Sequence, residues 1–272
     1  MSRNKQTTDI VGAMVAVLVC AAAAHGQQPQ GIQASYALAG GGYTVHEPVY
    51  VSFTVENRLA HRVRFGEVAS DGVGFFRMRL TRPDGRVESA PNPCSGYATQ
   101  LSKVEPSGSL SLAILLNTSF DLDTPGRYIL EIGTIPDTQH EDGLPDPTRG
   151  VVVIDVGPRD PERLTRICAD LEDKILRPVP GADSGGGALE YIRDPIAVPF
   201  LARVLDAMEN RDGPLVIRAL ERIGDASAVQ VIIPRIFSKD EDTASTARSA
   251  LGRIAEGGAD PLARAAAAAA LK

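Results

Sequence analysis

Asp137, His140, Glu141, Asp142 and Asp146 form the densest group of potential metal ligands in the sequence. Oxygen-rich side chains of this kind suit a hard cation, but their spacing matches neither a calcium loop nor a zinc set, because the lone histidine has no partner at ligand intervals. The segment reads as a solvated loop between two strands. Thiol chemistry would fall to Cys94, in the turn-rich stretch Pro91-Asn92-Pro93-Cys94-Ser95-Gly96-Tyr97, with His46 and His61 as bases in the same half of the chain. A nucleophile needs its base within hydrogen-bond reach, and nothing in the sequence brings these together. Gly-x-Ser-x-Gly is absent. Gly40-Gly41-Gly42 and Gly185-Gly186-Gly187 lack the following Lys-Ser or Lys-Thr of a phosphate cradle, and read as a hairpin turn and a linker into a helix. Asn117-Thr118-Ser119 satisfies the glycosylation pattern and reads as silent. No catalytic residue, cofactor or metal ligand is assigned.

Three arginines carry the clearest binding signal. Arg222 and Arg253 stand at equivalent positions of a repeating pattern, and Arg218 lies one helical turn before the first. Stacked units would set them in a row able to grip the carboxylates of an acidic partner through their forked donors. The same guanidiniums could equally bridge to acidic residues at helix ends and keep the stack soluble.

The elements that must position them are announced by a recurring dipeptide. Asp160-Pro161, Asp194-Pro195 and Asp260-Pro261 recur, with Asp225-Ala226 where a further copy falls due, at steps of 34, 31 and 35 residues. Asp accepts hydrogen bonds from first-turn amides, and Pro at the first helical position gives up no bond the helix needs. Leu164, Ile167 or Cys168, Leu171 and Ile175 make an apolar stripe at helical period. Further along, Ala188, Ala219 and Ala250 lie 31 residues apart, as do Leu189, Leu220 and Leu251, and Ile192, Ile223 and Ile254. These columns predict one face of the second helix in each unit. Ala197 with Ala228, Val198 with Val229, Leu201 with Ile232 and Leu205 with Ile236 predict the first. Copies that keep apolar positions and vary elsewhere bury against one another. Val198-Pro199-Phe200-Leu201 with Ala219-Leu220-Glu221-Arg222-Ile223-Gly224-Asp225, and more loosely Ala250-Leu251-Gly252-Arg253-Ile254-Ala255, resemble short bacterial HEAT repeats of the kind also seen in phycobilisome lyase subunits. The resemblance covers roughly residues 160–272 and implies a protein-binding scaffold with a curved face. The sequence departs from it in the Pro- and Gly-rich insertion from Arg177 to Gly187 and in a last unit of one alanine-rich helix.

Before that half the period is two. Val49, Val51, Phe53 and Val55 alternate with Tyr50, Ser52, Thr54 and Glu56, and the pattern returns at Phe76–Leu80, Leu110–Leu116, Tyr128–Ile132 and Val152–Val156. Turn residues such as Pro83-Asp84-Gly85 and Pro106-Ser107-Gly108 separate the runs without helix-period segments, so antiparallel pairing in a two-sheet sandwich over residues 33–156 is expected. Asp123-Thr124-Pro125-Gly126-Arg127-Tyr128 resembles the tyrosine corner of immunoglobulin-like sandwiches, whose phenol closes onto backbone just upstream. Together with Glu47-Pro48-Val49 through Val55-Glu56-Asn57 it is similar to bacterial immunoglobulin-like domains, including the BsuPI-type proteinase-inhibitor fold. That resemblance admits an inhibitor acting through a loop such as 90–99 or 136–149.

Arg3 and Lys5, the apolar run from Ile10 to Ala24 and the small residues before Gly26 have the layout of a cleaved secretory signal peptide over residues 1–26. Lipid attachment at Cys20 is disfavoured by Val19 before it. Removing this segment moves the formal charge from −6 to −7, which counts against a nucleic-acid partner. No later run is long enough to span a bilayer. Cys94 and Cys168 then remain, as one bridge between the halves or as two thiols. The sequence thus predicts an α+β multidomain chain, an N-terminal antiparallel immunoglobulin-like β-sandwich followed by a short all-α HEAT-like solenoid. It is secreted or periplasmic, non-catalytic and without cofactor, and binds another protein. An enzyme with its site at the domain junction, using Cys94 or the acidic loop, is the alternative from another class.

Overall fold

The computed structural model describes residues 31–66, 76–90, 101–134, 149–178 and 186–272. Residues 1–26 with Cys20, Cys94, the acidic loop 137–146 and nearly all of the two loops considered for inhibition lie outside them. The class is α+β. Strands occupy β1 (Ile32–Leu38), β2 (Tyr43–Thr44), β3 (Tyr50–Asn57), β4 (Val63–Gly66), β5 (Phe76–Thr81), β6 (Val87–Ser89), β7 (Leu101–Val104), β8 (Ser109–Leu115), β9 (Gly126–Thr134) and β10 (Gly150–Gly157). Helices follow: α1 (Pro161–Leu176), α2 (Val198–Ile223), α3 (Ala226–Ile232), α4 (Glu241–Gly257) and α5 (Pro261–Ala270).

The strands form a three-stranded sheet ordered β1-β3-β8, a five-stranded sheet ordered β2-β10-β9-β5-β6 and a β4-β7 pair. Val51, Phe53 and Val55 of the first sheet and Phe76, Leu80, Tyr128 and Leu130 of the second are buried in one core, as their alternation requires. Tyr36, Phe53 and Phe76 cluster there, with ring centroids 5.1–6.5 Å apart. Two expectations need correction. The two-residue β2 pairs parallel with β10, so the pairing is not wholly antiparallel. Gly40–Gly42 make no hairpin; they carry the chain from β1 in one sheet to β2 in the other, and Gly42 takes φ +66°, a conformation open to glycine. Pro83-Asp84-Gly85 is a true hairpin turn, closed by the Gly85 amide on the Arg82 carbonyl (2.9 Å), with Gly85 at φ +83°. The Tyr128 hydroxyl donates to the Thr124 carbonyl (2.8 Å) and accepts from the Thr124 amide (3.1 Å), closing the corner as its residues suggested.

In the helical half the Asp caps behave as expected. Asp160, Asp194, Asp225 and Asp260 accept from the amides of Arg163, Ile196, Ala228 and Leu262. Asp240, which no proline follows, caps α4 through the Thr243 amide (2.9 Å). The apolar columns are buried: Ala188, Ala219 and Ala250, Leu189, Leu220 and Leu251, with Ile192 and Ile254 beside the half-buried Ile223. The column Ala188–Ile192 does not sit on an α-helix, however. It forms a 3₁₀ turn over Gly186–Tyr191, because glycines precede it and Asp194-Pro195 follows at once, leaving too few residues for α-helix. The first and second helices expected around residue 208 run on as α2, broken by non-helical dihedrals at Met208.

Residues Gly31–Lys272 pack as one compact unit with two hydrophobic cores. Adjacent β8 residues divide between them: Ile114 faces the strand core, whereas Leu115 joins the helical one. Replacing Tyr128 by Phe removes both bonds of a fully buried ring while keeping its volume. The expected loss is about 1–2 kcal/mol of unfolding free energy, read from urea denaturation of the two proteins.

Candidate interaction face

Arginines on this half repeatedly reach back about one unit along the chain. Arg203 donates from both Nε and Nη2 to Glu172 (2.5 and 2.9 Å), Arg235 pairs with Asp206, and Arg253 holds Glu221 through Nε and Nη2, the latter at 2.7 Å. The sequence separations are 31, 29 and 32 residues: Arg203 ties α2 to α1, Arg235 ties the 3₁₀ turn after α3 back to α2, and Arg253 ties α4 to α2. Arg253 is thus already engaged by a carboxylate. Arg222, at the equivalent position, makes a different contact. Its guanidinium lies over the Tyr191 ring, 5.1 Å from the centroid, and donates to the Glu190 carbonyl (3.2 Å), with no carboxylate ion pair among the described residues. Arg218 is exposed one turn earlier on α2. Burial raises the Glu190 carboxyl above its ordinary range; Arg222 opposes that rise, Asp212 adds to it and Arg218 opposes it. The structure therefore sets Arg222 on the Tyr191 ring beside Glu190, whose carboxyl also lies within the influence of Arg218, and pairs Arg253 with Glu221.

The strand–helix junction is a second polar cluster. Thr44 Oγ1 donates to the Pro158 carbonyl (2.5 Å) and accepts from the Asp160 amide (2.8 Å). Glu47, 6% exposed, takes the Thr44 amide on one oxygen (2.9 Å) and Arg163 on the other (2.7 Å). Asn117, buried, accepts from the Val49 amide (2.7 Å) and donates to the Glu47 carbonyl (3.1 Å). Arg193 reaches Asp121 at 2.6 Å. Asp194, 1% exposed, receives Arg159 through two bonds of 2.5 and 2.8 Å besides capping Ile196. Burial pushes its carboxyl up, but the Arg159 guanidinium, the Ile196 amide and nearby His46 hold it below the ordinary carboxylate range.

Of the two cysteines weighed for thiol chemistry, Cys94 lies outside the described residues. Cys168 is a free thiol in the helical core, pushed up to about 12 by burial, with the Asp194 and Glu172 carboxylates adding to the rise. His46 precedes β3 and His61 follows it, and an eight-residue strand holds its ends about 24 Å apart. Among the described residues no three His, Cys, Asp or Glu side chains gather to hold a metal, and no helix is long and apolar enough to cross a membrane. Sequence reasoning missed Tyr191 and Glu190. Their signal was present, since Glu190 stands 32 residues before Arg222, the spacing that also joins Glu221 to Arg253.

Compared with family models and with curated proteins, the chain matches none. Among solved structures it is similar to a β-glucosidase from Listeria innocua at 12% identity and a TM-score of 0.28, covering 49% of this chain and 17% of that one. A DNA-bound alkylpurine DNA glycosylase from Pseudomonas fluorescens shares 9% identity, with a TM-score of 0.28 and coverage of 47% and 31%. A CARDB domain from Pyrococcus furiosus shares 12%, with a TM-score of 0.26 and coverage of 47% and 87%. The chain thus spans about a sixth of the glucosidase's length, and likenesses this slight bear on no activity.

Asp194 supplies a pH dependence. Because its folded pKa is depressed, its contribution to stability is complete above the unfolded value of about 3.9 and is lost as pH falls through the lower folded value. Asp194→Asn should be clearly less stable than wild type at pH 7. The difference should close as pH drops below about 4 in a series of denaturation curves; a constant difference across that window would contradict the assignment.

Proposed function

We propose that this chain is an exported, non-catalytic protein-binding scaffold or adaptor of the bacterial cell envelope. In this reading an immunoglobulin-like sandwich is followed by a short HEAT-like solenoid, and the partner presents acidic side chains to Arg218 and Arg222. The observation that carries it is the state of Arg222. Its counterpart Arg253 is closed by Glu221, whereas Arg222 rests on Tyr191 and keeps donors for an incoming carboxylate. An arginine held flat on a ring loses less freedom on binding than one that must first be ordered, and Tyr and Arg are the residues on which interfaces most depend.

Support for the solenoid comes from the buried columns and the reach-back pairs, and for the sandwich from the shared core and the Tyr128 closure. Export rests on the composition of residues 1–26.

The test is retention of envelope proteins on the immobilised full chain. Wild type should hold an acidic partner that salt releases, since exposed charge contacts are screened within about 10 Å at 0.1 M ionic strength. Arg218→Ala with Arg222→Ala should weaken binding about tenfold. Glu190→Gln, which removes the competing carboxylate, should tighten it. Identical retention by wild type and the double variant would sink the reading.

A further inference from the structure

The two sheets turn different faces to solvent. Outward positions of the three-stranded sheet are polar or small: Gln33, Ser35 and Ala37 on β1, Ser52, Thr54 and Glu56 on β3, Ser109, Ser111 and Ala113 on β8. The five-stranded sheet breaks that rule. Its register pairs Val153 with Ile129, Ile129 with Thr81 and Thr81 with Val87, so one row crosses four strands. Val153, Ile129 and Val87 in that row are 39–45% exposed, and Val151 two residues along β10 is 66% exposed. Scattered apolar side chains on a surface need no explanation, but an aligned row on one sheet face marks a contact surface.

The charges flanking the row indicate its occupant. Along β9 the outward residues read Arg127, Ile129, Glu131: a cation, an apolar centre and an anion. On one side of the row Arg127 pairs with Asp155 (2.9 Å), and on the other Glu131 lies 3.9 Å from Arg79. A lipid surface or a nucleic acid would call for one sign of charge, whereas this face carries both in an order that inverts about Ile129. We propose that the outer face of the five-stranded sheet is the contact between two copies of this chain, related by a two-fold axis through Ile129 across the strands. That operation sets Ile129 against its own copy and places Arg127 of each copy opposite Glu131 of the other, as an isologous interface requires. Aligned packing of sheets about 10 Å apart is within reach of such side chains. Strands of eight, nine, six and three residues, about 4.8 Å apart, offer about 400 Å² per copy, less than the about 800 Å² of a standard interface, so association is weak and reversible.

Sedimentation velocity of the full chain from about 1 to 200 µM tests this. Wild type should pass from monomer toward dimer across the range, and Val153→Lys should remain monomeric. Arg127→Glu and Glu131→Arg should each be monomeric alone. Mixed in equal amounts they should form a dimer, because the new carboxylate of one copy meets the new guanidinium of the other. A merely destabilising substitution would not give that recovery, and Val151→Lys supplies a further variant should one of the charge variants fail to fold. A wild-type monomer throughout, a dimer undisturbed by Val153→Lys, or a mixture no different from its components overturns the proposal. So does a dimer that is lost instead on Leu262→Lys, which alters the exposed start of α5.

Discussion

Asp194 has almost no contact with solvent, and a carboxylate so placed must be fully satisfied or it unfolds its surroundings. Two bonds from Arg159 and one from the Ile196 amide do this, and they join segments 35 residues apart. Arg159 belongs to the short connection between β10 and α1, so the carboxylate that starts the second helical unit also fixes how the chain leaves the sheet. Asp160, next along, is held through its own amide by Thr44 while its side chain caps α1. Asp260 works in the same double fashion. One oxygen caps its helix at Leu262 and the other takes the Ala226 amide at the start of α3. The Asp260 carboxylate thus joins the starts of α5 and α3, and the Asp194 carboxylate joins a helix start to the connection that leaves the sheet.

That arrangement decides which arginines are closed by a carboxylate. Where a unit places a glutamate within reach of the following arginine side chain, as Glu172 and Glu221 do, the pair closes on itself. Glu190 belongs to a 3₁₀ turn instead of an α-helix, and there the backbone carbonyl and the neighbouring Tyr191 ring meet Arg222. The Gly-rich insertion before the turn and the Asp-Pro pair after it are therefore what set Arg222 apart from Arg253. A similar division runs through the sheets. The same alternation that fills the shared core leaves one outer face polar and the other crossed by valines and an isoleucine, and strand register gathers those into a row that no single strand displays.

Much of the fold could be read from local rules. Alternation marked β3, β5, β8, β9 and β10, the Asp-Pro pairs marked three helix starts, and the 31-residue columns marked residues that are buried or, at Ile223, half-buried. Where reading failed, a distant partner was responsible. Asn57 is buried and donates to the carbonyls of His61, Val104 and Glu105, a role that no local pattern announces. β2 is two residues long and pairs parallel with a strand more than a hundred positions away, beyond any local pattern. Spacing alone marks Arg218, Arg222 and Arg253 as a set and does not separate Arg253, closed by Glu221, from Arg222, which rests on Tyr191.

The sequence by itself determined the period of each half, the caps, the turn at Gly85 and the faces that must be buried. These follow from dihedral preferences and hydrophobic repeats, which act over a few residues. Only the tertiary structure decided that Leu115 leaves the strand core for the helical one, that Cys168 is a buried thiol, that Asp194 pairs across the junction, and that Val153, Ile129 and Val87 share a row. Register and packing bring together residues tens of positions apart, and the chemistry of a charge or an apolar side chain depends on what it then touches.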